Sequence, residues 1–326
     1  MAKDNTVPKR TDNLVPEHMV QAQFALAAFS TIKAENLVYV SVPITSGPRL
    51  YEYMHKMGFK TPDEAKKDHD AFFEHVVKPN LADGVRESEA WTHKINGAVV
   101  APAEFEKRLR GKEVLEWGQD DFMGMWIPLI DEKITDMVML NGWEYSNGSG
   151  EEYLQAVLMQ MGRRPRNDME IVDQQGATLT LDNGIQMVAN AYKHVTSLGL
   201  KPRNMAETLS LLLEAEERFA AEQATGRAPE SRPEEKGPGP NVPQYDSKKV
   251  EAIRREMLPR IAKDFPDIQG ILERTSSFDY SPINALFRKK TALSGIGLQG
   301  LKAEKGSVAP PAHIIPGVPG MNRPKP

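Results

Sequence analysis

The sequence predicts an α/β protein with a parallel sheet covered by helices. Three observations carry this. Short apolar runs rich in β-branched residues, Leu37–Ser41 and residues 97–101 and 136–140, read as buried strands. Longer stretches with apolar residues at helical spacing separate them, which argues for parallel strands joined by helices. The 326-residue chain is 40% hydrophobic and 26% charged, ordinary for a globular protein large enough to bury a core unaided.

Residues 1–16 read as a disordered arm and residues 17–34 as a helix opening an α/β domain that runs to residue 200. The strand at 37–41 ends in a loop at Pro43, Gly47 and Pro48, and helices follow over 49–57 and 62–78. The strand at 97–101 stops at Pro102. The strand at 136–140 leads through a glycine-rich loop to a helix over 151–161, which Gly162 ends. Residues 169–172 read as a fourth strand and 178–181 as a further candidate. Helices follow over 183–197 and 204–223, the latter within a separate helical segment, 201–223. Residues 224–245 combine proline, glycine and charge, a linker composition. A helical C-terminal region spans 246–302, with helices over 246–264 and 267–274, before a proline-rich tail at 303–326.

The formal net charge of -4 argues against a protein that coats nucleic acid. The absence of cysteine excludes a disulfide framework and a thiolate nucleophile. No apolar run approaches a membrane span, and the polar N-terminus lacks the apolar core of a signal peptide, so a cytoplasmic protein without membrane contact is expected. Neither a P-loop nor a Gly-x-Gly-x-x-Gly after the first strand is present. His69 and His75 are six residues apart and do not share a helical face, so they read as part of a solvated helix and no metal site is expected.

Chemistry concentrates in residues 136–152. Gly142, Gly148 and Gly150 lie between a strand end and a helix start, where backbone N–H groups and the helix dipole suit an anion. Ser146 and Ser149 add hydroxyls. Glu152 falls in the expected first turn, where the dipole favours its ionised form, as a carboxylate attacking a sugar carbon requires. A second group must protonate the leaving base, and Asp120, Asp121 and Asp136 are candidates, with Tyr39 or Tyr145 as orienting groups.

The pattern Ser146-x-Gly148-x-Gly150-x-Glu152, after a strand that starts at Asp136, resembles the nucleoside 2-deoxyribosyltransferase superfamily. It is most similar to the branch containing nucleoside 5′-monophosphate N-glycosidases and small bacterial and phage relatives. Val38–Gly47, Val100-Ala-Pro-Ala-Glu104 and Gly142-Trp-Glu-Tyr-Ser146 add to the likeness, which covers about residues 37–172. The resemblance implies a flavodoxin-like sheet and makes Glu152 the nucleophile at C1′ of a (deoxy)ribose. Ser146, Gly148, Ser149 and Gly150 would hold a 5′-phosphate or 5′-hydroxyl, and Tyr39, Ser41, Pro43 and Trp143 would line the substrate site, with Trp143 placed to stack on a base. Water or a second base would take the sugar. The expected partner is thus a small nucleoside or nucleotide, with no cofactor, and the family is commonly homo-oligomeric. The chain departs from the family in Val42, where relatives carry glycine, and in a longer segment at 49–96. The alternative expectation is a nucleotide-binding or sensing module of related fold without turnover.

Other features read as structural. Trp91, Trp117 and Trp126 are expected in the core or at caps. Gly162–Arg166, Arg254-Arg255 and Arg288–Lys290 are basic clusters expected on solvated loops and faces.

Overall fold

A computed structural model describes residues 27–29, 31–33, 36–95, 97–108, 119–161, 169–225 and 243–268. Its centre is a sheet of four parallel strands: β1 (Leu37–Ser41), β2 (Ala98–Val100), β3 (Asp136–Met139) and β4 (Glu170–Asp173), in the order β2-β1-β3-β4. Between β1 and β2 lie α1 (Pro48–Met57), α2 (Pro62–Lys66), α3 (His69–Phe72), a π-helical turn (Phe73–Val77) and α4 (Lys78–Lys94). Next come α5 (Pro102–Arg108) and α6 (Gln119–Lys133) before β3, and α7 (Asn147–Gln160) before β4. Three helices complete the described fold: α8 (Leu181–Ser197), α9 (Arg203–Thr225) and α10 (Ser247–Asp264). The parallel sheet flanked by helices is the expected α/β architecture, in flavodoxin-like strand order.

All five residues of β1 are buried, as suits a strand covered on both faces. Alternation divides them. Val38 and Val40 join Ala101, Val138 and Leu140 in one apolar cluster. Tyr39 and Ser41 point to the opposite face. From β1 the chain passes outward to β2 and later returns on the other side to β3. The crevice at the carboxyl ends of β1 and β3 is therefore a topological switch point, where α/β sheets place ligands.

Several expectations change. Residues 27–29 are helical, but Thr31–Lys33 are not, so the helix expected over 17–34 stops short where it is described. The helix expected over 62–78 is broken at Lys67 and Asp68 into two short helices, and from His69 the chain stays helical past 78 to Lys94 through the π turn. Residues 178–181 form an isolated bridge, Val172 to Thr178, rather than a strand. The helix after β3 starts at Asn147, not 151, because Ser146 caps it by accepting a bond from the Ser149 N–H at 3.3 Å. Gly148 and Gly150, which suggested a loop, thus belong to the helix, while Gly142 stays in the loop before it.

Helix α7 explains what the C-terminal helices do. It is buried nearly all round, the pattern of a helix enclosed by others. Gly150 faces α9 so closely that a Cβ there would lie 2.8 Å from Thr208 Cγ2. Gly184 of α8 lies against Tyr153, where a Cβ would sit 2.2 Å from the phenol oxygen. Helices α8 and α9 therefore sheathe the outer side of α7. Helix α10 is fastened to them by ion pairs, Lys249 to Asp182 at 2.9 Å and Arg254 to Glu216 at 2.6 Å. Arg254 also donates to the Leu213 carbonyl, and Tyr245 donates to Glu216. Arg254 is thus a half-buried tie between helices rather than part of a solvated face, while Arg255 stays exposed and pairs with Glu251. The helices sequence reasoning set apart at 201–223 and from 246 pack on the α/β core. Gly162–Arg166, Trp117, Arg288–Lys290, most of the 224–245 segment and the 303–326 tail lie outside the described residues.

Candidate active site around Glu152

Glu152 is the sixth residue of α7, in its second turn, on the side facing the sheet. There it meets the side chains that alternation sends down from β1. Tyr39 donates its phenol O–H to Glu152 Oε1 at 2.6 Å, and Ser41 donates its hydroxyl to Oε2 at 2.6 Å. All three are buried, with Glu152 5% exposed. Tyr39 packs edge-on against Trp126, ring centroids 5.8 Å apart, which fixes the phenol.

The electrostatics differ from the sequence expectation. In the second turn Glu152 lies beyond the strongest reach of the helix dipole. Burial dominates and raises its pKa from 4.5 to about 7, while the Ser41 and Tyr39 hydroxyls pull the other way by bonding to the charged form. Tyr39 is itself pushed well above its usual range by burial and by Glu152, so it remains a donor. Glu152 is therefore poised between its two protonation states near neutrality, the condition that suits an acid–base or nucleophilic carboxylate.

A second buried acid stands close by. Helix α5 turns Pro102, Ala103 and Glu106 inward. Glu106 is 4% exposed, and its Oε2 has no hydrogen-bond partner. Burial, then the neighbouring Glu152, raise its pKa well above the usual carboxylate range. Sequence reasoning passed over Glu106 and stopped at Glu104 in the same segment. The available signal was the i, i+3 spacing from Ala103, which puts Glu106 on that helix's apolar side.

The switch-point loop is held from below by Asn80 of α4, a second residue the sequence did not reveal. Its amide donates to the Ile44 and Ser46 carbonyls, each at 2.9 Å, and its oxygen accepts from Arg49 at 2.7 Å. Pro43 is buried in this loop against Gly47 and Gly142, whose φ values of 85° and 89° only glycine adopts readily. Val42 turns toward Gly84 and the apolar cluster, away from the Tyr39 face.

The remaining expected site residues divide into two groups. Ser146, Gly148 and Ser149 gather at the N-terminus of α7, and Ser46 donates to the Ser146 hydroxyl at 2.9 Å. The others have different work. Gly150 is a helix-packing position against Thr208 rather than part of an anion cradle. Trp143 is fully buried with its ring 4.5 Å from Tyr153, so no base can stack on it. Tyr145 bonds to His194 at 3.1 Å, not to Glu152. Asp136 pairs across the sheet with Val38, while Ser41 pairs with Met139. It therefore stands about 10 Å from the carboxyl ends of the strands, too far to serve as proton donor. Its carboxylate instead accepts from Thr135 at 2.7 Å. Asp120 and Asp121 fall in the first turn of α6, where side chains lie outside the described residues. His69 begins α3, and His75 stacks on Tyr53.

Among the described residues, no group of three or more His, Asp or Glu side chains could hold a metal ion, and no helix is long and apolar enough to cross a membrane. Two surface clefts, of about 550 and 380 Å³, are lined by residues of α4 with Phe73 and Lys107 and by residues of α10. Neither is lined by Tyr39, Ser41, Glu106 or Glu152. In comparisons with known proteins, the chain matches no family model, no curated protein and no solved structure.

Proposed function

We propose that the protein cleaves or exchanges the N-glycosidic bond of a nucleoside or nucleoside 5′-monophosphate, with Glu152 as the nucleophile. One observation carries this reading: a carboxylate at the switch point, gripped by two hydroxyl donors and poised near neutrality. Bonds from Tyr39 and Ser41 hold both oxygens in a fixed plane, so attack on C1′ needs little reorganisation. A glycosyl ester on Glu152 then passes its sugar to water, as in a hydrolase, or to a second base, as in a transferase. The Ser46, Ser146 and Ser149 hydroxyls at the N-terminus of α7 supply donors for a 5′-phosphate, favoured further by the helix dipole.

A second reading has its own observation. Glu152 is 5% exposed and both its oxygens are engaged, as in a binding module whose carboxylate braces the fold. Product analysis separates the two. Wild type and Glu152→Gln are incubated with nucleosides, their 5′-monophosphates and NAD, with and without a free acceptor base. Base release or exchange by the wild type, lost in a folded Glu152→Gln, is the expected result. No turnover across the panel rejects the enzyme and favours the module.

A further inference from the structure

We propose that Glu106 is the acid that protonates the departing base, an assignment that rests on the glycosidic reading above. The argument starts from packing. A Cβ on Gly84 would lie 2.7 Å from Ala103 Cβ, so α4 and α5 approach as closely as a glycine permits. That contact presses the inner face of α5 into the molecule, and Glu106 is carried inward one turn beyond Ala103. Buried carboxyls are normally satisfied by hydrogen bonds, yet Glu106 Oε2 has none. The Glu152 charge pushes Glu106 upward, and the Glu106 charge in turn pushes Tyr39 upward, so Glu106 stands close to both.

The two carboxyls differ as acid and nucleophile must. Glu152 has two hydroxyl donors that stabilise its charged form. Glu106 has burial and a carboxylate neighbour, both of which keep it protonated. Glu151 also faces Glu152 electrostatically, but its carboxylate accepts from Asn147 at the helix surface. Asp136 stands at the other end of the sheet. Two carboxyls with environments that push their protons apart form the usual division of labour in glycosyl transfer.

The step balances. A Glu152 oxygen forms a bond to C1′ while the C1′–N bond breaks, and its electron pair goes to the base nitrogen. The Glu106 O–H proton passes to the base, leaving a Glu106 carboxylate. In the second half-reaction water adds to C1′, Glu106 takes its proton, and the C1′–O bond to Glu152 breaks. Both carboxyls return to their starting states.

The test compares two leaving groups in wild type and Glu106→Gln. An ordinary purine 5′-monophosphate needs its base protonated, whereas the N7-methylated purine leaves as a neutral base unaided. Loss of the acid should lower kcat on the ordinary substrate by about 10²–10⁴-fold while changing the methylated one by less than about threefold. If Glu106→Gln does not fold, Glu106→Asp, which retracts the acid by one methylene, should show the same selective loss. An equal loss on both substrates makes Glu106 structural and overturns the assignment while the glycosidic reading stands. A wild type inactive on both overturns the two together.

Discussion

Replacing Glu152 by glutamine should stabilise the protein in mild alkali and flatten the dependence of its stability on pH. Burial lifts the carboxyl from 4.5 to about 7, so between those values the folded protein holds a proton that the unfolded chain has released. A folded-state pKa above the unfolded one gives stability that is fully present below pH 4.5 and lost as pH rises through 7. At about 1.4 kcal/mol per pH decade the full loss is about 3 kcal/mol, most of it between pH 5 and 8. Glutamine keeps the shape and one acceptor oxygen without the charge, and the Ser41 hydroxyl can turn to accept from the new amide. Glu106 shifts in the same direction and remains in the variant, so part of the slope persists. Urea unfolding at pH 5, 6, 7 and 8, followed by circular dichroism and tryptophan fluorescence, measures the effect. The variant should gain on the wild type by about 2–3 kcal/mol between pH 5 and 8. A difference that is flat with pH, or that moves against the variant, would refute the claim that desolvation dominates at Glu152.

Other outcomes follow from single contacts. Tyr39→Phe removes a donor to the charged form of Glu152, a bond of about 1.5–3 kcal/mol, so the acid limb of kcat/KM against pH should move up by about one to two pH decades. An unmoved limb would detach Tyr39 from Glu152. Gly184→Ala sets a methyl group against the Tyr153 ring and should cost about 1–3 kcal/mol, with a changed emission from Trp143, which packs on that ring; an undisturbed melt and spectrum would contradict the packing. Arg254→Ala leaves the Glu216 carboxylate, 4% exposed, with the Tyr245 hydroxyl as its one donor among the described residues. It should cost about 2–3 kcal/mol and speed amide exchange in α10 before the sheet, whereas uniform exchange would show that α10 is not held this way.

The strands were legible because each is a short apolar run closed by a strong breaker, as Leu37–Ser41 is by Pro43. Glu152, Tyr39 and Ser41 were each legible as candidates, but the hydrogen bonds that bring them together were not. The carboxylate was placed in a first turn under the dipole because Gly148 and Gly150 looked like loop. Only the Thr208 side chain, 58 residues beyond Gly150, shows why a glycine sits inside that helix. Trp143 illustrates the same limit, since a tryptophan in a loop looks available to stack until Tyr153 covers it. Helix α6 went unread because Pro128 interrupts its pattern, and α5 because it is seven residues long. With α5 unread, Glu106 had no face to be placed on. Charge environment is a property of tertiary packing, so the contrast between Glu106 and Glu152 appears only once α5, β1 and α7 are brought together.

Trapping the glycosyl ester tests the central claim most directly. The protein would be incubated with 2′-fluoroarabino nucleosides and their 5′-monophosphates, whose fluorine slows release of the sugar, and then digested for peptide mass mapping. The account predicts one sugar adduct, on the peptide bearing Glu152, and none in Glu152→Gln. A folded wild type that gains no adduct from any of these compounds, or one that carries it on a different residue, would contradict it.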